Sequence, residues 1–214
     1  MKEDKLQKER ERLYQLAAYE REYAGYGYIG GIDEAGRGPL AGPVVAACVI
    51  LDPQKEILFI NDSKKLSEAK REELFPEILE KSIAYGIGIV GPERIDEINI
   101  LQATYEAMRM AVAQLKIQPA ILLNDAVTIP GITIRQVPII KGDAKSISIG
   151  SASILAKVTR DRLMREFDQQ YPEYGFAVHK GYGTAAHRDA LLQYGPCPIH
   201  RRSFIRKILG ESIE

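Results

Sequence analysis

Tyr28-Ile-Gly-Gly-Ile-Asp-Glu-Ala-Gly-Arg-Gly-Pro-Leu-Ala-Gly-Pro-Val-Val-Ala-Ala-Cys-Val-Ile-Leu51 is the stretch that decides the fold. It opens on a short apolar run, Tyr28 to Asp33, and closes on a longer one, Pro43 to Leu51, made almost wholly of Val, Ala and Ile. Continuous apolar runs of this length predict strands covered on both faces. Between them lies a glycine-rich turn whose entrance carries two adjacent carboxylates, Asp33 and Glu34.

Downstream, Ile83, Tyr85, Ile87 and Ile89 alternate with small residues and predict a third strand. Ala120 to Asp125 and Ile132 to Ile140 predict a fourth and a fifth. Leu101, Tyr105, Met108, Val112 and Leu115 fall at helical spacing between the third and fourth strands. A further helix is expected over 67–81, with Ser67 as its N-cap and a kink at Pro76. Ile149 to Gln170 is apolar on more than one side and predicts a deeply packed helix, and 184–194 a shorter one. Upstream, residues 3–24 form a charged amphipathic helix with a thin stripe of Leu6, Leu13, Leu16 and Ala17, ended by Gly25 and Gly27. The pattern predicts an α/β domain with a mixed sheet and a helical C-terminal part. The expected division is an N-terminal helical extension, residues 1–27, and a main domain over 28–214 that includes the C-terminal helical segment.

Of the 214 residues, 45% are hydrophobic and 27% charged, a globular composition. No apolar run is long enough to span a bilayer, and the charged residues 1–12 do not form a secretory signal. The expected compartment is the cytosol, with Cys48 and Cys197 as reduced thiols. The formal net charge of zero hides an asymmetry: residues 141–214 carry 12 basic and 8 acidic side chains. Such a basic third can serve as a footprint for phosphates, although charge runs are usually solvated faces.

Asp33, Glu34, Asp125 and Asp143 stand at or just beyond strand ends, where open α/β sheets build their sites. Taken singly each is an ordinary turn or cap residue. Crowded together they would repel one another, and a bound cation would relieve this. Oxygen donors without His or Cys favour Mg²⁺ or Mn²⁺. Two such ions are suited to phosphoryl transfer. A nuclease, a phosphatase and a sugar-phosphate enzyme all remain open on this reading.

Gly36-Arg37-Gly38 could bring bare backbone close to a ligand, but it is neither a Walker A loop nor a dinucleotide fingerprint. Ser63 and Lys64, in Asn61-Asp-Ser-Lys-Lys65, precede a helix and are candidates for phosphate binding or for local capping. Tyr182, between Gly181 and Gly183, could pack on a nucleotide, though a loop tyrosine is more often structural. His179, His187 and His200 lack metal-motif spacing and are expected to pack.

Gly31-Ile-Asp-Glu-Ala-Gly-Arg-Gly-Pro-Leu-Ala-Gly-Pro-Val-Val-Ala-Ala47 resembles the signature of the ribonuclease HII (type 2 ribonuclease H) family. The resemblance continues through 61–67, 141–146, 152–158, 160–162, 179–182 and 198–201 and spans about residues 28–205. It implies a ribonuclease H-like fold, a mixed five-stranded sheet flanked by helices with a helical C-terminal segment. It also implies a metal set of Asp33, Glu34, Asp125 and Asp143 holding Mg²⁺ or Mn²⁺. The implied reaction is hydrolysis on the 5′ side of a ribonucleotide, in RNA–DNA hybrids and at single ribonucleotides in duplex DNA, leaving 3′-hydroxyl and 5′-phosphate ends. Its implied biological role is ribonucleotide repair or primer removal. In the family, Gly36, Arg37 and Gly38 match the reader of the ribose 2′-hydroxyl, and Tyr182 the ring that packs on the neighbouring deoxyribose. Lys64 and Lys141 are the implied phosphate contacts, and Ser63, beside Lys64, is a further substrate-binding candidate. The chain departs from the family at Asn124 and Ala126, where members often carry an apolar residue and glycine. A DNA-cutting nuclease or strand transferase of the same fold, and a non-catalytic hybrid-binding module, are the alternatives. A monomer is expected, and the C-terminus shows no clear clamp-binding peptide, so a sliding clamp is an open partner.

Overall fold

The computed structural model describes residues 3–211. Five strands, β1 (Ile29–Ala35), β2 (Val44–Leu51), β3 (Ser82–Val90), β4 (Ile121–Asp125) and β5 (Arg135–Ile139), form one mixed sheet in the order β3-β2-β1-β4-β5. The β1–β2 and β2–β3 pairs are antiparallel; β1–β4 and β4–β5 are parallel. The uninterrupted apolar run of β2 is buried from Val44 to Ile50, as a central strand covered on both faces requires.

The helices are α1 (Glu3–Leu16), α2 (Ala18–Tyr23), α3 (Glu68–Lys81), α4 (Pro92–Ala113), α5 (Ile147–Gln170), α6 (Phe176–His179), α7 (Ala185–Tyr194) and α8 (Arg202–Leu209). On one face of the sheet, Ile32, Ala46, Cys48, Ile50 and Leu122 pack against Ala103, Ala107, Met108 and Ala111 of α4. On the other, Val45, Ala47 and Val49 meet Leu74 and Ile78 of α3 and Ala152, Leu155 and Ala156 of α5. The helix α5 lies so close to β1 that a Cβ at Gly31 would stand 2.2 Å from the Ser148 carbonyl carbon. Only glycine admits this approach.

Three expectations need correction. The N-terminal helix is two helices, because Ala17 leaves helical geometry between α1 and α2. Both pack on the domain: Leu13 and Leu16 enter the core, and the Glu20 carboxylate accepts from the Ser148 N–H at 3.0 Å. The α4 helix contains a break at Asn99, with φ of 65°, and the Asn99 side chain accepts from the Leu101 and Gln102 N–H groups like a second N-cap. Leu101 therefore sits at a helix start and stays 40% exposed, outside the buried stripe of Met108, Val112 and Leu115. Pro76 lies inside α3 without interrupting it, and the Ser67 hydroxyl caps that helix by accepting from the Lys70 N–H at 3.2 Å. Among the described residues no helix is long and apolar enough to cross a membrane.

Candidate active site

The parallel pairing of β1 and β4 aligns Ile32 with Asn124. One residue further on, Asp33 and Asp125 leave the sheet side by side on the face covered by α5. Asp33 is 5% exposed. One of its oxygens accepts from the Glu34 N–H at 2.8 Å. Burial, then the neighbouring Glu34 charge, push its carboxyl well above the usual range, with Asp125 adding to the rise; a Ser153 hydrogen bond pulls the other way. Burial also raises Glu34, opposed by Arg37, whose guanidinium stands 3.3 Å from Glu34 Oε1.

Asp125 accepts from the Gly142 N–H at 2.7 Å, which ties the end of β4 to the short 3₁₀ turn Gly142–Ala144 that carries Asp143. Burial, then Asp62 and Asp125, raise Asp143. Lys64 Nζ lies 4.0 Å from Asp143. Burial alone would lower the Lys64 ammonium, but Asp143, Asp33, Asp62 and Asp125 together raise it. All four carboxylates thus belong to one electrostatic neighbourhood rich in uncompensated negative charge.

Beside them opens a cleft of about 190 Å³ lined by Glu34, the 35–38 turn, Ser63, Lys64 and Tyr182, with Ser153, Lys157 and Arg160 at its back. The turn and the tyrosine face one another: a Cβ on Gly38 would meet the Tyr182 ring edge at 3.8 Å. Of the substrate-side candidates, Gly36, Arg37, Gly38, Ser63, Lys64 and Tyr182 share this cleft. Lys141 does not line it. It is exposed, in the left-handed region with φ of 58°, at the start of the turn holding Asp143.

Residues the sequence reasoning passed over shape the cleft. Ser153 hydrogen-bonds Ser63 at 2.8 Å and fixes it from α5. Arg160 and Arg201 are both buried, and neither hydrogen-bonds a carboxylate among the described residues. Arg160 donates to the carbonyls of Pro43, Ala41 and Lys180. Arg201 donates to those of Gly42, Arg37 and Gly36. Burial brings Arg160 down to about 10 and Arg201 to about 9, so both stay charged at neutral pH. Their appearance in two of the resembling motifs was the available signal.

The three histidines pack behind Tyr182, as expected. The Tyr182 carbonyl only accepts, so His187 Nδ1–H donates to it at 2.9 Å. The Cys197 N–H only donates, so His200 Nδ1 accepts it at 3.0 Å. His200 Nε2–H therefore donates to His187 Nε2 across 3.0 Å, and both rings are neutral. The His179 ring stacks on His187 with centroids 4.4 Å apart.

Among the described residues no three His, Cys, Asp or Glu side chains form a ready-made metal cage. The donor set is oxygen only and mutually repulsive. This fits a hard cation such as Mg²⁺, which takes one or two carboxylates and fills the remaining positions with water and substrate phosphate.

The family model for ribonuclease HII matches residues 30–207. The chain is 63% identical to ribonuclease HII of Lachnoclostridium phytofermentans over 205 residues, 96% of this chain and 81% of that protein. It is 61% identical to the Clostridioides difficile protein of the same name over 208 residues, 96% of this chain and 82% of the relative. The fold superposes on ribonuclease H2 from Pyrococcus horikoshii with a TM-score of 0.71 at 32% identity, covering 86% of this chain and 97% of that one. Bst-RNase HIII shares the fold at 16% identity, with a TM-score of 0.64 over 92% of this chain and 67% of that one. A family match across nearly the whole sheet and both site-bearing loops, with relatives at this identity, leaves one assignment: the chain belongs to the ribonuclease HII family and is a hydrolase of the ribonuclease H kind.

Proposed function

We propose that the chain is a monomeric endonuclease that hydrolyses the RNA strand of RNA–DNA hybrids and cuts on the 5′ side of single ribonucleotides in duplex DNA, leaving 3′-hydroxyl and 5′-phosphate ends. The observation that carries this reading is the shared cleft: Glu34, one of the four carboxylates, lines it together with Gly36-Arg37-Gly38 and Tyr182. An enzyme indifferent to the sugar would have no need of that pairing, because the 2′-hydroxyl is what separates RNA from DNA at a site.

Asp33, Glu34, Asp125 and Asp143 would hold Mg²⁺ or Mn²⁺; Bst-RNase HIII, of the same fold, is seen in complex with Mn²⁺. When bound, a pair of such ions supplies an activated water and stabilises the leaving oxygen of an in-line displacement. The protein's own part is positional. Gly142 fixes the Asp125 carboxylate. Lys64, 80% exposed at its side chain yet 4.0 Å from Asp143, is free to meet a phosphate. Ser63, held by Ser153, stands next to it. Tyr182 offers a flat apolar face to a deoxyribose, and the 36–38 turn meets the ribose beside it. Lys141, outside the cleft, would touch only more distant phosphates. The role is in ribonucleotide repair or primer removal. Both thiols are unpaired and buried, in keeping with a reducing compartment such as the cytosol. The Archaeoglobus fulgidus enzyme is seen with PCNA, and a sliding clamp is a candidate partner by that analogy.

The test is an end-labelled DNA duplex holding one ribonucleotide, incubated in Mg²⁺ and in Mn²⁺, with all-DNA duplex, EDTA and Asp125→Asn as controls. One cut on the 5′ side of the ribonucleotide, absent in EDTA and in the variant, is the expected result. Cutting of the all-DNA duplex, or binding without a cut in either metal, overturns the proposal.

A further inference from the structure

Two arginines are buried behind the Gly36-Arg37-Gly38 turn. Arg160 is 1% exposed and Arg201 0%. Burying a guanidinium is costly unless its donors are satisfied. Among the described residues the pair makes six side-chain hydrogen bonds, all to main-chain carbonyls and five of them between Gly36 and Pro43. The turn is further laced to the C-terminal part by Leu40 N–H to the Gly181 carbonyl, Gly42 N–H to Ile199 and Arg201 N–H to Leu40.

The choice of carbonyls matters. Arg201 Nη2 donates to Gly36 O at 2.6 Å and Nη1 to Arg37 O at 2.9 Å. The described residues contain no cis peptide bond. In a trans peptide the C=O of one residue and the N–H of the next point in opposite directions. Anchoring the Gly36 and Arg37 carbonyls inward therefore turns the N–H groups of Arg37 and Gly38 outward. Those two amides have no acceptor among the described residues. The cation behind each carbonyl also polarises its peptide, which strengthens the N–H as a donor.

We infer that Arg201 is a positioning residue for sugar discrimination: by gripping the Gly36 and Arg37 carbonyls with one planar fork, it presents the Arg37 and Gly38 amides as two fixed donors to the 2′-oxygen of a ribonucleotide. Arg160 acts beneath the same turn, holding the Ala41 and Pro43 carbonyls and filling the space under Gly36, where a Cβ would come within 2.1 Å of its Nε. Lysine cannot replace the fork, because one ammonium has neither the planarity nor the reach to hold both carbonyls at once. The inference rests on the proposed sugar-reading role of the turn and adds the group that enforces it.

The experiment measures equilibrium binding of full-length wild type and Arg201→Lys in EDTA, where nothing is cut. The probes are two duplexes identical except that one position carries a ribonucleotide or its 2′-deoxy counterpart. Wild type is expected to prefer the ribonucleotide by about tenfold or more, the worth of roughly one to two well-made hydrogen bonds. Arg201→Lys is expected to bring the ratio close to one while leaving affinity for the all-DNA duplex within about twofold. A purely structural role would weaken both duplexes in parallel and keep the ratio. A retained ratio or a parallel loss overturns the inference. A wild type without preference overturns instead the sugar-reading function on which it stands. Should Arg201→Lys fail to fold, amide NMR of the wild type decides. The Arg37 and Gly38 N–H signals must shift on adding the ribonucleotide duplex and not on adding the deoxy one; unchanged or equally shifted signals overturn the inference.

Discussion

Alanine at Gly36 and at Gly38 should have opposite consequences, although the two positions are one residue apart. Gly36 has φ of 96°, and its added Cβ would stand 2.1 Å from Arg160 Nε and 2.7 Å from the Pro43 carbonyl oxygen. The left-handed backbone costs about 1–2 kcal/mol for a residue with a Cβ. Forcing Arg160 aside adds an overpacking cost of about 1–3 kcal/mol. Each carbonyl hydrogen bond that a buried guanidinium loses adds about 1–3 kcal/mol more. The total is several kcal/mol, a large part of the roughly 5–15 kcal/mol that holds a domain folded. At about 2–4 °C per kcal/mol for a chain of this size, Gly36→Ala should melt some 10 °C or more below wild type. Gly38 has no such strain, and the nearest atom to its added Cβ is Tyr182 Cε1 at 3.8 Å, an ordinary contact. Gly38→Ala should therefore melt within about 2 °C of wild type. Its methyl group would nonetheless fill the gap between turn and tyrosine, so cleavage at a single ribonucleotide should fall about tenfold or more, chiefly through KM. Thermal unfolding followed by circular dichroism, paired with cleavage kinetics, gives both readings. A Gly36→Ala protein that melts like wild type would refute the locked turn. A Gly38→Ala protein that cuts at the wild-type rate would refute the passage of a sugar between Gly38 and Tyr182.

Burial, then the facing His187, hold His200 at about 4 against an ordinary 6.5. The unfolded chain therefore binds the extra proton first, and the stability tied to the neutral ring is complete above pH 6.5 and lost as pH falls from 6.5 towards 4, by up to about 3 kcal/mol. Urea unfolding from pH 7.5 to 4.5, as the difference between wild type and His200→Gln, should show this slope; the difference separates it from the carboxylates, of which the raised Asp33, Glu34 and Asp143 act with opposite sign and the lowered Glu9, Glu68 and Glu72 with the same sign. A difference independent of pH would refute the neutral histidine pair. Asp33→Asn removes one charge from a buried, repulsive set, so it should melt above wild type in EDTA, lose cleavage, and lose the stabilisation that Mg²⁺ gives the wild type; a melting point below wild type in EDTA would contradict the crowding. Ala126 sits at φ of 56° directly after Asp125, and Ala126→Gly should raise stability by about 0.5–1 kcal/mol in the same unfolding assay, with no gain counting against strain there.

The two halves of the site were unequally legible in the sequence, for a physical reason. Carboxylates at the ends of apolar runs can be read from a linear pattern, because strand direction and period place Asp33 and Asp125 at one edge once β1 and β4 are parallel neighbours. The caps at Ser67 and the central strand Val44–Leu51 follow from equally local rules. The breaks at Ala17 and Asn99 do not, since each interrupts an otherwise sustained helical pattern with a residue that does not forbid a helix. Arg160 and Arg201 were hidden more deeply. Arginine is almost never fully buried unless its donors are met, so local composition places both at the surface. Five of the six carbonyls that meet their donors lie in a turn 117 to 165 residues away in the chain, which no periodicity connects to them. The signature around Gly36-Arg37-Gly38 names the turn without giving it a shape. With φ of 96° at Gly36 and carbonyls pointing inward, an isolated peptide of this sequence would have nothing to hold those groups. The shape is imposed by guanidiniums from α5 and from the residue before α8. This accounts for the role of the helical C-terminal part, which contributes none of the four carboxylates except through the turn before α5. Its closure over Leu40–Pro43 carries Tyr182 to one side of the cleft and Arg201 to the back of the other. Loosening it should therefore degrade the choice of sugar before it displaces Asp33 and Asp125, which sit on β1 and β4, the latter tied to the Gly142 N–H.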